Sequence, residues 1–378
     1  MGQPSAPVRQ TSRPLQSGLM VFIFTLALYF YLRSTHATPQ ILADLKPKWT
    51  DRSFYKQYGK DQSTTSIDQV TNDTLGFSKI FVIGKPEDGD KGRTVLLTSA
   101  LTGFRVEYVD GVEGERIPDE AVPIGIDRDA LTEDNLGTWR THMNAIRGIV
   151  HGELESALII EDGMDWDVRL KSQLGRIAQG TRALIPSGSS PLSPYGDSWD
   201  LLWLGHCGEV FPETLPENEG RAEHPKYVIA KDETVPPFNQ ITGPVDRKKY
   251  EEFTRWVHIS GAPKCPFAYA LSQIGARKVL YELSVQHLDG TLDKALSNFC
   301  RKGASEHPEG LRAKCLSVTP PLFSPYKTGD HVTGNYGAQK IGETSFHEVK
   351  PTGNIVWSAR DGIMNTAVGL KMETRFEI

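Results

Sequence analysis

Four carboxylates follow a short apolar run within seven positions of this chain. Residues 156–160 read SALII, and directly after them come Glu161, Asp162, Asp165 and Asp167. Like charges crowded at the end of a buried strand raise one another's pKa unless a cation neutralises them. Carboxylate oxygens are hard ligands that suit Mg²⁺ or Mn²⁺ carrying a diphosphate. A solvated acidic turn is the ordinary interpretation of an isolated D-x-D triplet, but the density of this cluster favours a metal site.

The segments around this cluster alternate between strand and helix patterns. Continuous apolar runs rich in β-branched and aromatic residues predict buried strands, and apolar residues at helical spacing predict amphipathic helices. The predicted elements are strand 79–83, helix 93–103, strand 105–109, helix 136–152 and strand 156–160. This order predicts an α/β fold with a mostly parallel sheet, whose ligand sites lie beyond the carboxyl ends of the strands. Glu161 and Asp162 fall at such an end.

The N-terminal region has the pattern of a membrane anchor. Nineteen residues without a charge separate Arg13 from Arg33, and the densest apolar part is 18–32. A bilayer core needs ~20 such residues in a helix. The arginines before the run predict a cytoplasmic N-terminus and a luminal remainder, hence a single-pass type II protein of the Golgi or endoplasmic reticulum membrane. A cleaved signal peptide is the alternative, because 35–37 resembles a cleavage site.

Overall composition indicates a globular protein that has no general attraction for nucleic acid. The chain has 378 residues, of which 24% are charged and 38% hydrophobic, and its net charge is −5. A chain of this size buries a substantial core. The negative balance and the lack of a long Lys/Arg run argue against nucleic-acid binding.

The cysteines predict disulfides, because the lumen is oxidising. Cys300 and Cys315 close a short polar loop, which favours their pairing and leaves Cys207 with Cys265. Four buried thiols are an equal alternative. The spacing does not suit zinc. The triplet at 72–74, Asn-Asp-Thr, is an N-glycosylation sequon that would face the lumen.

Several further segments occur in the order found in a known family. They are LGTWRTHMNAIRGIV, GELESALIIEDGMDWD, WDLLWLG at 199–205, AYALSQIGARKVL at 268–280, LDGTLDKAL at 288–296 and CLSVTPPLFS at 315–324. This set resembles glycosyltransferase family 25, the lipooligosaccharide and procollagen galactosyltransferase group, in the form of a fungal-type single-domain member. The matching blocks cover residues 78 to 325.

The resemblance implies a fold, a reaction and a domain organisation. The fold would be GT-A-like, which is a Rossmann-like sheet flanked by helices. The reaction would be metal-dependent, inverting transfer of a hexose, with galactose as a candidate, from a nucleotide sugar such as a UDP-sugar to a glycan or glycoprotein acceptor in the secretory pathway. A catalytically silent or Ca²⁺-dependent luminal carbohydrate-binding protein is the alternative function. The expected regions are a cytoplasmic tail (1–17), an anchor (18–32), a stem (33–76), a catalytic domain (77–330) and a C-terminal extension (331–378).

The acidic cluster departs from the family pattern at one position. Glu161 and Asp162 match the first two acids of the family's E-D-D, and Gly163 stands where the third would be. A glycine could turn the backbone so that the later acids replace the missing one. The expected ion is Mn²⁺ or Mg²⁺, and its expected ligands are therefore Asp162, Asp165 and Asp167 jointly. Glu161 is assigned to the cofactor site.

The resemblance also assigns residues outside the cluster. Arg93 corresponds to a basic residue after the first strand that would bind diphosphate, with a solvated arginine at the helix start as the alternative. Asp110 ends the second strand where GT-A folds contact the nucleoside, with a simple turn aspartate as the alternative. His142 matches the histidine of an S-H pair, although a histidine packed within a helix is an equal interpretation. Asp289 and Asp293 lie in the block expected to face the acceptor. Either one is a candidate general base.

Overall fold

The computed structural model describes residues 66–84, 90–124, 126, 128, 131–186, 191–241, 251–305, 310–326 and 353–376. The predicted cytoplasmic tail, the anchor at 18–32 and the stem up to residue 65 lie outside these residues. Among the helices that are described, none combines the length and the apolar character that crossing a membrane requires.

A large sheet forms the centre of the described structure. Its eight strands lie in the order β2-β1-β3-β8-β5-β9-β7-β6, and two further strands, β4 and β10, pair separately. The strands are β1 (Lys79–Ile83), β2 (Glu107–Val109), β3 (Ser156–Glu161), β4 (Met164–Trp166), β5 (Leu201–Gly205), β6 (Lys226–Ile229), β7 (Arg255–Ile259), β8 (Ala268–Ser272), β9 (Cys315–Thr319) and β10 (Phe323–Pro325).

The sheet is mixed, with a parallel N-terminal part. β1 pairs in parallel with both β2 and β3, and β5 pairs in parallel with β9. β8 runs antiparallel to β3 and β5, while β7 runs antiparallel to β9 and β6. The predicted β-α-β-α-β order is therefore confirmed for β1 to β3. The expectation of a mostly parallel sheet is only partly met, because the directions of β7 and β8 depend on connections that hydrophobic patterns do not reveal.

Helices cover both faces of the sheet. They are α1 (Asp90–Leu101), α2 (Glu133–His151), α3 (Leu170–Leu184), α4 (Gln273–Leu280), α5 (Leu292–Gly303) and α6 (Ile363–Val368). Side chains of α1 and α3 pack with Leu158 and Ile160 on one face, and side chains of α2, α4 and α5 pack with Ala157 and Ile159 on the other. Successive residues of β3 alternate between the two faces. Glu161 therefore points to the side of α2 and α5.

Local sequence accounts for where the central helices begin. Thr132 caps α2 by accepting a hydrogen bond from Asn135 N, and Ser272 caps α4 by accepting one from Gly275 N. Such caps satisfy backbone donors that have no partner within the helix. The apolar residues of α2 that recur at helical spacing, Trp139, Met143 and Ile146 among them, are buried against the sheet.

The folded core begins earlier in the chain than the predicted stem boundary at residue 76. Ser66–Thr71 form a 3₁₀ helix, and Val70 and Leu75 are buried in the core beside α3. Polar composition suggested a stem here, but these two apolar side chains are enough to attach the segment. Asn72, the first residue of the sequon, is exposed, and its Oδ1 accepts hydrogen bonds from Thr74 N and Gly76 N.

Both predicted disulfides are present. Cys300 pairs with Cys315 across a sequence separation of 15, and Cys207 pairs with Cys265 across a separation of 58. The first bond joins the end of α5 to β9, and the second joins the residues that follow β5 to those that precede β8. The alternative of four buried thiols is thereby excluded.

Candidate functional site

The carboxyl ends of β1, β2 and β3 stop at the same level of the sheet. Ile83 lies in register with Val109 on one side and with Glu161 on the other. The chain passes from β1 to β2 in one direction and returns to β3 on the opposite side of β1. In open α/β sheets, such a reversal opens a crevice at the strand ends in which ligands bind. The ends of β1 and β3 therefore form the candidate site.

Asp162 lies directly over the end of β1. Its backbone N donates to Ile83 O at 2.8 Å, and a Cβ placed on Gly84 would come within 2.6 Å of Asp162 Oδ2. Gly84 therefore leaves the room that the half-buried Asp162 side chain occupies. Burial, and next the charge of Asp162, raises the pKa of Tyr108 on β2 to about 12. Asp162 and Tyr108 thus flank the end of β1, which lies between β2 and β3.

Two of the other predicted donor-site residues have different outcomes. Asp110 follows β2 at the same edge of the sheet and is exposed, as a residue contacting a nucleoside from the solvent side would be. The side chain of Arg93 lies outside the described residues, although its backbone belongs to α1. The role of both residues stays a prediction.

Glu161 is a buried carboxylate at the end of β3. Only 5% of its surface is exposed, and its Oε1 lies 3.4 Å from Nε2 of His142, an electrostatic contact rather than a hydrogen bond. Within the described part of the chain, Glu161 Oε2 is buried without a hydrogen-bond partner. Burial raises the pKa of Glu161 well above its ordinary value, and the charges of Asp162 and Asp293 raise it further. An unsatisfied buried acceptor of this kind is costly unless a proton or a ligand meets it.

His142 joins the helix layer to this site. Its Nδ1 lies 2.8 Å from the hydroxyl of Tyr269 on β8, and the two rings stack with centroids 5.8 Å apart. Burial lowers the pKa of His142 to about 3, so the ring is neutral at physiological pH. Both sequence interpretations describe part of its environment, since His142 is packed within the helix layer and also faces Glu161.

The structure separates the two candidates for the general base. Asp293 lies in the first turn of α5, where its Oδ1 accepts a hydrogen bond from Cys265 N, and its charge acts on Glu161. Burial raises the pKa of Asp293, which favours proton uptake. Asp289 precedes the helix, so the two acids do not share a helix face. Asp289 is exposed and pairs with Lys294 Nζ at 3.0 Å.

Asp165 and Asp167 are not brought together with Asp162 as a metal-binding group. Within the described residues, no three His, Cys, Asp or Glu side chains form such a group. Asp165 accepts hydrogen bonds from Trp166 N and Arg360 N through Oδ1 and from Ser358 Oγ through Oδ2. Asp165 and Asp167 bond instead to a distant part of the chain, and their joint ligation of a metal with Asp162 stays a prediction that these contacts do not support.

The partner of these acids is residues 353–376, which we call the C-terminal segment. Asp167 Oδ1 accepts from Arg169 N, and Oδ2 accepts from Trp357 N. Burial raises the pKa of Asp165 to about 6 and also raises the pKa of Asp167, while these donors oppose the shift. The C-terminal extension, whose residues 331–352 lie outside the described residues, thus ends in a segment docked on the acidic cluster.

Gly163 explains how the backbone separates the acids. Its φ is +76°, a left-handed conformation that favours glycine, and its carbonyl accepts from Tyr326 N at 2.8 Å. The predicted backbone turn is therefore present. It directs β4 into a pairing with β10 rather than returning Asp165 and Asp167 to Asp162.

A second buried polar cluster lies behind β5 and β9. Glu209 Oε1 accepts from the backbone N of Val210 and Ala262, at 2.8 and 2.9 Å, and its Oε2 accepts from Ser317 Oγ. Ser317 Oγ is in turn 2.7 Å from Ser260 Oγ. Burial raises the pKa of Glu209 to about 7 despite these donors. The carboxylate connects the loop after β5 with the loop after β7.

The carboxylates of the site suit a divalent cation whose remaining ligands are water and the phosphates of a bound substrate. Mg²⁺ and similar ions use one or two protein carboxylates together with water and substrate phosphates. Asp162 and the unsatisfied Glu161 Oε2 supply donors of that type at the sheet edge. A site of this kind does not require the later acids of the cluster.

Part of this chain is similar to a curated protein of Danio rerio. That protein is procollagen galactosyltransferase 1. The identity is 26% over 144 residues, which are 35% of this chain and 22% of the relative. The matched part thus spans about a fifth of that protein's length. No family model matches the chain. The similarity supports a glycosyltransferase-like relationship at a coarse level.

Sequence patterns missed three side chains that surround the candidate site. Tyr108 and Tyr269 lie in strands whose apolar character was recognised, but a strand pattern does not single out a tyrosine that meets a carboxylate. Arg360 lies 198 positions after Asp162 in the chain, and its charge acts on that residue. No local motif marks it. Only chain folding brings it to the acidic cluster.

Proposed function

We propose that this protein is a glycosyltransferase of family 25 that transfers a hexose from a nucleotide sugar to a glycan or glycoprotein. The observation that carries this proposal is that β1, β2 and β3 end at the same level of the sheet, at the point where strand order reverses. Asp162 and Glu161, whose Oε2 has no hydrogen-bond partner among the described residues, lie at these strand ends. The similarity to procollagen galactosyltransferase 1 supports the same reaction class, with galactose as the first donor sugar to test.

The donor would lie across the ends of β1 and β2. Asp110 would contact the nucleoside, and Arg93 would contact the diphosphate from α1. Asp162, with Glu161, would hold Mn²⁺ or Mg²⁺. When bound, this ion would supply positive charge against the diphosphate that leaves.

The acceptor would approach from the side of α5. Asp293 would take the proton of the acceptor hydroxyl while that oxygen forms a bond to the anomeric carbon. The bond from that carbon to the diphosphate oxygen breaks in the same step, and the nucleoside diphosphate leaves with its electron pair. This is an inverting displacement, and the raised pKa of Asp293 suits the role of base.

A location in the secretory pathway is part of the proposal. The apolar run at 18–32 would anchor the chain in the Golgi or endoplasmic reticulum membrane, with the described residues in the lumen. The two disulfides are consistent with that oxidising compartment.

The test is donor turnover by the purified chain. UDP-galactose, UDP-glucose and UDP-N-acetylglucosamine are offered with and without Mn²⁺, with procollagen and simple saccharides as acceptors, and UDP release is measured. We expect Mn²⁺-dependent release with one donor, and a loss of about 100-fold in Asp162→Asn. Asp119→Asn is the matched control, because Asp119 is an exposed carboxylate paired with Arg128.

Two results would contradict this function. Equal turnover by Asp162→Asn and the wild-type chain would remove the proposed role of the carboxylate. Silence with every donor, combined with retained binding of saccharides, would favour a carbohydrate-binding protein without catalytic activity instead.

A further inference from the structure

The C-terminal segment carries one arginine whose environment differs from that of a structural arginine. Arg360 is 8% exposed, and its guanidinium lies 4.4 Å from the centroid of the Tyr326 ring. Among the described residues, its Nε is buried and has no hydrogen-bond partner. A desolvated guanidinium nitrogen that makes no hydrogen bond is costly, since its N–H group was solvated in the unfolded chain.

Arg255 shows what a buried structural arginine looks like in this protein. Its Nε donates to Asp232 Oδ2 at 2.9 Å, its Nη2 donates to Thr234 O at 3.2 Å, and its Nη1 donates to Pro320 O. Each nitrogen of its guanidinium therefore has a partner. Arg375, in the C-terminal segment, also forms ion pairs, with Asp361 and Asp165. Arg360 is 8% exposed against 1% for Arg255, and its Nε has no such partner among the described residues.

The position of Arg360 is set by its neighbours and not by its own side chain. Its backbone N donates to Asp165 Oδ1 at 3.2 Å, and Ser358 Oγ donates to Asp165 Oδ2 at 2.6 Å. Ala359 N donates to Trp166 O at 2.9 Å. These bonds fix the backbone of the segment on β4. The guanidinium takes part in none of these three bonds, and its contact is with the Tyr326 ring.

Three carboxylates act on this guanidinium, and one of them belongs to the candidate site. Burial lowers the pKa of Arg360, whereas the charges of Asp165, Asp162 and Asp361, together with Tyr326, raise it. Tyr326, on whose ring the guanidinium lies, donates its backbone N to Gly163 O at 2.8 Å, and Gly163 is next in sequence to Asp162, so the positive charge of Arg360 lies near the residues that follow β3. A planar guanidinium matches the oxygens of a phosphate group in a two-pronged geometry.

We propose that Arg360 binds the diphosphate group of the nucleotide at the ends of β1 and β3, so that the C-terminal segment completes the donor site. This inference rests on the proposed function. A nucleoside diphosphate carries more negative charge than one divalent cation neutralises, and Arg360 supplies further positive charge beside Asp162. Asp165 of β4 then positions the backbone of Arg360.

The experiment compares ligands with and without phosphate. Binding of UDP, GDP, uridine and guanosine to the full chain is measured by calorimetry with Mn²⁺ present, for the wild type, Arg360→Met and Arg360→Lys. We expect Arg360→Met to weaken the preferred diphosphate by about 10- to 100-fold and to leave the matching nucleoside within about twofold. Arg360→Lys keeps the charge without the fork and should lose less.

Matched controls separate this role from a structural one. Arg301→Met removes a partly exposed arginine of α5 that pairs with Glu217, and it should not change either affinity. Melting temperature is recorded for every variant. If Arg360→Met does not fold, Arg360→Lys still decides the question, because a loss confined to the diphosphate is expected there too.

Two outcomes overturn the inference while leaving the proposed function intact. One is a wild-type diphosphate affinity that both Arg360 variants retain. The other is an equal loss for diphosphate and nucleoside, which would mean that the substitution disturbs the fold and not a phosphate contact. Failure of the wild-type chain to bind any of the diphosphates overturns the proposed function itself.

Discussion

Replacing Asp165 by alanine tests whether the acidic cluster holds the C-terminal segment. The side chain of Asp165 accepts from Trp166 N, Arg360 N and Ser358 Oγ, and it lies 3.4 Å from Arg375 Nη2. Asp165 is fully buried. Asp165→Ala leaves these donors without an acceptor in a place that water does not reach in the folded state.

The expected loss of stability follows from these contacts. A buried donor that loses its partner costs about 1 to 3 kcal/mol, and breaking a buried charged pair costs about 3 to 5 kcal/mol. The terms are not additive, so we expect the free energy of unfolding to fall by about 3 to 5 kcal/mol. Asp165→Asn should lose less, since its Oδ1 still accepts from the two backbone N–H groups. The asparagine side chain also carries no charge, so the variant avoids the cost of ionising the Asp165 carboxyl, whose pKa burial raises to about 6.

Urea denaturation at pH 7 measures this difference, and limited proteolysis shows whether the C-terminal segment is released. Asp162→Ala is the matched control, since Asp162 is half-buried, and its cost should stay below about 1 kcal/mol. A double-mutant cycle with Ser358→Ala should show coupling, because the two side chains share a hydrogen bond of 2.6 Å. A loss below 1 kcal/mol for Asp165→Ala, with the segment still protected, would refute the argument.

Three further predictions concern acid–base groups and a cross-link. The folded-state pKa of Glu209, about 7, exceeds the ordinary value of 4.5, so its contribution to stability falls as pH rises from about 4.5 to 7. The free energy of unfolding of the wild-type chain should fall by about 3 kcal/mol over that range, and Glu209→Gln should remove this fall. Urea denaturation at pH 5 and pH 8 measures it, and the same pH dependence of unfolding free energy in both proteins would contradict the prediction. Removing the Cys300–Cys315 bond with two alanines should cost about 3 kcal/mol for a loop of this length, and an unchanged melting temperature would count against it. Asp293→Asn should reduce turnover by about 10²- to 10⁴-fold while exposed Asp289→Asn should not, and the reverse result would reassign the base.

The N-terminal half of the fold was predictable because its signals are local. Apolar runs at 79–83 and 156–160 and helical spacing in 136–152 each lie within one element, and the structure confirms these elements. Burial of an apolar face requires no knowledge of distant partners. The direction of β8 between β3 and β5 was not predictable in this way, because pairing direction depends on how the connections run in space.

The candidate site divides in the same manner. The end of β3 identified Glu161 and Asp162, since a carboxylate directly after a buried strand is visible in the sequence. Asp165 and Asp167 have the same local pattern but a different role. Their partners lie in the C-terminal segment, and the hydrogen bond from Ser358 to Asp165 spans 193 positions.

Sequence alone therefore determined the order of the first strands and helices, the acidic cluster at the end of β3 and the pairs of cysteines that were favoured. Tertiary structure decided which acids bond to the C-terminal segment, which acid of the 288–296 block is exposed, and that Arg360 folds against the residues that follow β3. The reason is physical. Residue type and spacing report burial and local capping, whereas the environment of a charge depends on every segment that folds against it.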